Sequence, residues 1–100
     1  MTNIMDINDY SDVEKAQENA KRYLGKDAIL YRSTRKNKKF MVHNKVNQFV
    51  HFGQMGYEDF TYHQDKIRQK NYLTRATHLR GDWKNEKYSP NNLSIHILWQ

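Results

Sequence analysis

The sequence predicts a small α+β domain: a two- or three-stranded antiparallel sheet with an N-terminal helix, a long central helix and a short C-terminal helix. Three observations carry this. Residues 11–25 repeat apolar side chains at helical spacing between two end signals. Residues 28–52 hold short β-branched and aromatic runs separated by polar turns. Residues 61–80 return to a basic, helix-like pattern. The 100 residues suit one domain, here 1–100, with 1–10 expected to be its loosest part.

The first element is "YSDVEKAQENAKRYLG". Ser11 is placed to cap it, with Glu14 three residues on completing a capping box. Val13, Ala16, Ala20, Tyr23 and Leu24 share a face. Gly25 suits the C-terminal cap, and Lys21 and Arg22 complement the helix dipole in the last turn. Strands are expected at Ala28–Thr34, Lys39–His43 and Gln48–Phe52, joined by the basic "RKNKK" stretch and the "NKVN" turn. Gly53 and Gly56 are expected to break the last strand, with Tyr57 and Phe60 anchoring the connection in the core. The central helix is expected to begin near Thr61, capped by its hydroxyl with Gln64 three residues later. Its apolar face would hold Ile67, Tyr72, Leu73 and Ala76, and it would end at Gly81. "DWKNEKY" reads as a loop held by Trp83. Ser89-Pro90 opens a short C-terminal helix. The alternation of Leu93, Ile95, Ile97 and Trp99 also fits a strand.

Composition limits the function classes. Apolar residues make up 37 %, below the usual share, but much of it is aromatic, with seven tyrosines and four phenylalanines. Such a scant core is one that self-association would complete. With no cysteine, neither a disulfide framework nor a thiolate zinc site is expected. The acidic start "MTNIMDINDY" does not read as a signal peptide, and no run approaches the ~20 apolar residues of a membrane span. The net charge is +6. Residues 1–20 hold five acids and one base, so residues 21–100 carry +10, a field that favours polyanions.

The stretch "HFGQMGYEDFTYHQDKIRQKNY" (51–72) poses the functional question. Glu58 and Asp59 flanked by His51 and His63 would be an acid–base set only if they converged in a pocket. The simpler reading puts the carboxylates at a helix entry. The five histidines match no common metal-ligand spacing, and no nucleophile elbow or phosphate loop is present, so no catalytic group, metal or cofactor is assigned. The cations offer more. Lys66 and Lys70 fall on one line of the central helix, with Arg68 and Arg75 on another. Arg32, Arg35, Lys36, Lys38 and Lys39 surround the first hairpin; Lys45 and Arg80 complete the candidate phosphate-contacting set.

The order "KKFMV", "HFG…GYEDFTYHQDKIRQKNYLTR" and "W…KYSPNNLSIHILW", over roughly residues 38–99, resembles a family of small basic proteins from large nucleocytoplasmic DNA viruses. Members occur in marseillevirus-like, mimivirus-like and algal giant viruses. The resemblance brings no enzyme activity with it; it implies an abundant virus-encoded protein acting on viral DNA in the virion or in the infected cell (viral factory or nucleus), and not secreted. It implies that His51, Phe52, Gly53, Gly56, Tyr57, Asp59, Phe60 and Thr61 are fold determinants. Gln64 departs from the lysine of the family pattern, and residues 1–37 lie outside it. The expected function is sequence-independent binding of double-stranded DNA, with RNA as a second polyanion, by a homodimer without membrane association. The rival is a protein–protein adaptor whose basic patch meets an acidic partner.

Overall fold

A computed structural model describes residues 5–100. The α+β class is as expected: a three-stranded antiparallel meander of β1 (Tyr31–Arg32), β2 (Lys38–His43) and β3 (Phe49–Gln54), packed with helices. These are α1 (Val13–Leu24), α2 (Phe60–His63), α3 (Lys66–Thr77) and α4 (Pro90–Leu93), the last continuing as a π-helical segment Ser94–Leu98. The expected C-terminal helix is therefore observed, and the strand alternative is excluded. Ser89 caps α4 through its hydroxyl and Pro90 occupies the first turn. The widened helix buries Ser94, Ile95, Ile97 and Leu98, a pattern that no single strand face offers.

The core gathers Phe40 and Val42 of β2, Phe52 of β3, Ala16 and Ala20 of α1, and Leu93, Ile97 and Leu98 of the C-terminal segment. The two alanines let α1 approach the C-terminal segment closely. Asn19 of α1 then donates to the Ile97 carbonyl at 2.9 Å, satisfying a carbonyl that the helix end would leave unpaired.

Several boundaries differ from expectation, each for a local reason. Asp12, not Ser11, caps α1, accepting from the Lys15 amide at 3.1 Å. The Ser11 side chain is instead turned toward Asp59, to which its hydroxyl donates. β1 spans two residues instead of seven. The Gln17 side chain takes the Leu30 amide at 2.9 Å and gives its own N–H to the Ala28 carbonyl at 3.0 Å, so those backbone groups never reach the sheet. Gly53 does not end β3 but lies inside it with φ +82°, between the ladder pairs Lys38–Gln54 and Phe40–Phe52. The single central helix is two. Gln64 adopts a left-handed conformation (φ 54°) that closes α2, and Asp65 opens α3 by accepting from the Ile67 and Arg68 amides. α3 stops at Thr77, four residues before Gly81. Tyr57 and Ile67 are not buried: they are 69 % and 74 % exposed, whereas Phe60 sits in the interior as expected.

Candidate functional site

The motif "EDFT" is organised by Asp59. Its carboxylate caps α2 by accepting the Thr61 amide at 3.0 Å, and it also accepts the hydroxyls of Thr61 and Ser11. Lys39 Nζ completes the shell at 2.8 Å and donates as well to the Tyr10 carbonyl at 3.3 Å. The Asp12 amide donates to Thr61 Oγ1 at 2.9 Å, and the Asp59 amide to the Tyr10 carbonyl at 3.0 Å. One buried polar network thus ties the entry of α1, the start of β2 and the cap of α2. Lys39 and Asp59 are each 2 % exposed. Burial pushes the Lys39 ammonium below its ordinary value, against the opposing pull of Asp59. A buried carboxylate with four donors at the N-cap of α2 agrees with the helix-entry reading of Asp59.

This arrangement corrects one candidate. Lys39, expected to meet phosphate, is buried and committed to Asp59. Above the network opens a cleft of about 1010 Å³, walled by Arg68, Asn71, Tyr72 and Arg75 of α3, by Tyr57, and by Trp99, which stacks on Tyr72 at 4.0 Å. Arg68 reaches across the rim to Glu58 at 2.9 Å, with both side chains well exposed. Lys66 and Lys70 lie roughly 160° around α3 from Arg68 and Arg75, at 100° per residue, so the helix presents two cationic flanks, not one. Lys66 sits 5.8 Å from the Phe60 ring. Arg80 is exposed beyond the end of α3.

The sheet divides its cations between its two ends. Arg35 and Lys36 are exposed and Lys38 half-buried around the β1–β2 turn, which the Met55 amide ties to the cleft side through the Asn37 carbonyl at 3.1 Å. Lys45 is exposed in the β2–β3 turn, at the opposite end of the meander. Arg32 donates to the Lys39 carbonyl and lies 6.0 Å from the Phe40 ring. No surface therefore collects all eleven candidates. Charge is nonetheless segregated by element. Residues 28–57, which contain the whole sheet, hold six Lys/Arg and no Asp or Glu. The other eleven Lys/Arg are matched by all eleven acids, so the sheet carries the entire net charge.

Two features were not foreseen. One is the Ser11–Asp59–Thr61–Lys39 network, whose local trace was an Asp two residues before a Thr at a helix entry. The other is an exposed aromatic cluster with one ring from each strand. His43 stacks on Phe49 at 4.0 Å, and Tyr31 stands edge-on to both at 5.8 and 5.7 Å. The histidines are dispersed: His51 bonds Ser33, His63 accepts the Asp65 amide, His78 bonds the Thr74 carbonyl, and His96 stacks on Tyr23. No helix among the described residues is long and apolar enough to cross a membrane.

Residues 28–76, from the approach to β1 to the last turn of α3, match DUF5754, a family of unknown function. No curated protein and no solved structure matches the chain. The matched stretch contains β1, β2, β3, α2 and most of α3, together with both members of the buried ion pair, so it is this sheet-and-cap unit that is similar to the family.

Proposed function

We propose that the chain binds nucleic acid, DNA in the first instance, without reading its sequence. The observation that carries this is the segregation of charge: residues 28–57, the sheet and its turns, hold six Lys/Arg and no acid, and five of the six lie outside the buried Lys39–Asp59 pair. Phosphates would meet Arg35, Lys36 and Lys38 at one end of the sheet and Lys45 at the other, with Arg75 contributing from the cleft wall. Cations placed this way neutralise a backbone and release counterions but do not reach base edges in an ordered pattern. The resemblance to small basic giant-virus proteins makes the viral genome the natural ligand, in the virion or the infected cell. Duplexes of unrelated sequence should bind with similar affinity, and log K should fall linearly with log salt by about 0.9 per phosphate contact. Replacing Arg35, Lys36, Lys38 and Lys45 together by alanine should weaken all duplexes alike and flatten that slope. Binding that ignores salt, or no binding at low salt, would overturn the proposal.

A second reading, contact with a protein or a second copy of the chain, is favoured by Ile67, an apolar side chain 74 % exposed on α3. Light scattering of the protein and of Ile67→Lys tests it: a dimer lost on substitution supports it, and a monomer in both refutes self-association through this face.

A further inference from the structure

We propose that the open face of the sheet, carrying Tyr31, His43 and Phe49, is a stacking platform for unpaired bases of a single-stranded nucleic acid. This rests on the nucleic-acid reading above and specifies the form of ligand. Strand alternation sends Phe40, Val42, Val50 and Phe52 toward the core, and it sends Lys39, Met41, His43, Phe49 and His51 to the other face, which the buried Lys39–Asp59 pair closes at one end and which is exposed at the His43–Phe49 end. Tyr31 pairs with Met41 and therefore joins that second face. Met41, on the same face, is 8 % exposed, while Tyr31 and Phe49 remain 37 % and 43 % exposed. The rings are held by a hydrogen-bonded ladder and by one another, so a base meets a surface already ordered.

The charge around the rings fits the same ligand. Lys45 stands in the turn that joins His43 to Phe49, and Arg35 and Lys36 stand at the far end of the meander, about 20 Å away for a six-residue strand. No carboxylate lies within the sheet to repel a phosphate chain. Asp27 borders the groove beside Tyr31 and His43, with Lys26 next to it. Cations flanking exposed aromatic planes are the arrangement that holds single strands, because every base offers a π-face once it is unpaired. A duplex hides those faces, so phosphate contacts alone would leave the three rings without a role.

The test uses the full-length chain and fluorescence anisotropy with labelled oligothymidylate, oligouridylate and a duplex of equal length. Single strands should bind more tightly than duplex. Tyr31→Leu and Phe49→Leu, which keep apolar bulk on this face, should each raise the single-strand Kd about tenfold while leaving duplex Kd and both salt slopes unchanged. Lys45→Ala should lower the single-strand slope by about 0.7. Oligothymidylate and oligouridylate responding alike assigns the platform to bases of either sugar; a response from one alone assigns it to that polymer. Ring variants that keep single-strand affinity, or that lose duplex and single-strand affinity equally, overturn the platform while leaving nucleic-acid binding intact. Absence of binding to every probe removes both. A dimer that dissolves on Phe49→Leu would make this face a self-association surface and also overturn the proposal. Should a leucine variant fail to fold, 2-aminopurine in the strand decides with the unaltered protein: quenched emission on binding supports stacking, and unchanged emission overturns it.

Discussion

Glu58 and Asp59 are neighbours in the chain, and each makes an ion pair at nearly the same distance, 2.9 Å to Arg68 and 2.8 Å to Lys39. The surroundings make them different interactions. Arg68 and Glu58 are 48 % and 38 % exposed, and water competes for both. Lys39 and Asp59 are 2 % exposed, and three further donors hold the carboxylate. An exposed pair typically contributes between zero and 1 kcal/mol, because solvent screening offsets most of the attraction. A buried pair makes no large net contribution against an apolar replacement, but breaking it strands a charge away from water. The two pairs also divide the labour of the "YEDF" segment: Asp59 fixes the segment to α1 and β2, and Glu58 leaves Arg68 at the rim of the cleft.

The largest effect that would probe this contrast is Asp59→Ala. It strands the Lys39 ammonium, unpairs the Ser11 and Thr61 hydroxyls and removes the cap of α2, so it should cost about 3–5 kcal/mol and leave the chain largely unfolded in a thermal melt. Lys39→Met with Asp59→Leu should recover a substantial part of that loss, as a charge-free replacement. A double variant no more stable than Asp59→Ala would show that the hydrogen-bond geometry, not the stranded charge, dominates.

Gly53→Ala comes next. Its Cβ would lie 2.8 Å from Leu98 Cδ1 and 3.1 Å from Lys39 Cβ, at φ +82°, where a side chain is strained whatever the space. A cost of about 1–3 kcal/mol is expected, read as a lower urea midpoint. Because the clash reaches Lys39, it should be non-additive with Lys39→Met, whereas it should add simply to Arg68→Ala.

A smaller effect is pH-dependent. His63 accepts the Asp65 amide at 2.9 Å through Nδ1, so its proton lies on Nε2, which is buried without a partner. Burial first, and then Arg68, lowers its pKa below 6.5, and Asp65, Glu58 and Asp59 only partly oppose them. The unfolded chain therefore takes up the proton before the folded one does. The stability contributed by neutral His63 is complete above pH 6.5 and is lost as pH falls through the lowered folded value. The urea midpoint should drop on acidification, and the drop should shrink in His63→Gln. It should not vanish, because burial also lowers His96, which titrates in the same direction. An unchanged pH profile in the variant would remove His63 from this account.

The smallest effect is Arg68→Ala, expected to change stability by less than about 1 kcal/mol. A loss comparable to Asp59→Ala would abolish the distinction between the two pairs.

Much of the architecture was legible locally. Gly25 with Lys21 and Arg22 marked the end of α1, and Ser89-Pro90 marked the start of α4, because caps depend on a few adjacent residues. The meander was legible from short β-branched and aromatic runs separated by polar turns, since strand propensity and turn chemistry are local. Less visible was the competition for side chains. Ser11 and Asp12 are both good caps, and Asp59 and Thr61 are both good caps. Which of each pair serves its own helix depends on a partner 48 or 49 residues away.

The candidate site divides along the same line. The sequence by itself determined how much charge the chain carries and that no acid interrupts residues 28–57, because ionisation states of exposed groups follow from composition. It also determined that α3 carries cations on two separate lines, since helical periodicity is fixed by backbone geometry. Only the tertiary structure decided that Lys38 stays half-buried while Lys39 meets Asp59, that Tyr57 stays outside while Phe60 goes in, and that Tyr31, His43 and Phe49 come together in one exposed cluster. Burial is conferred by whatever packs over a residue, and for these residues that neighbour comes from a distant part of the chain.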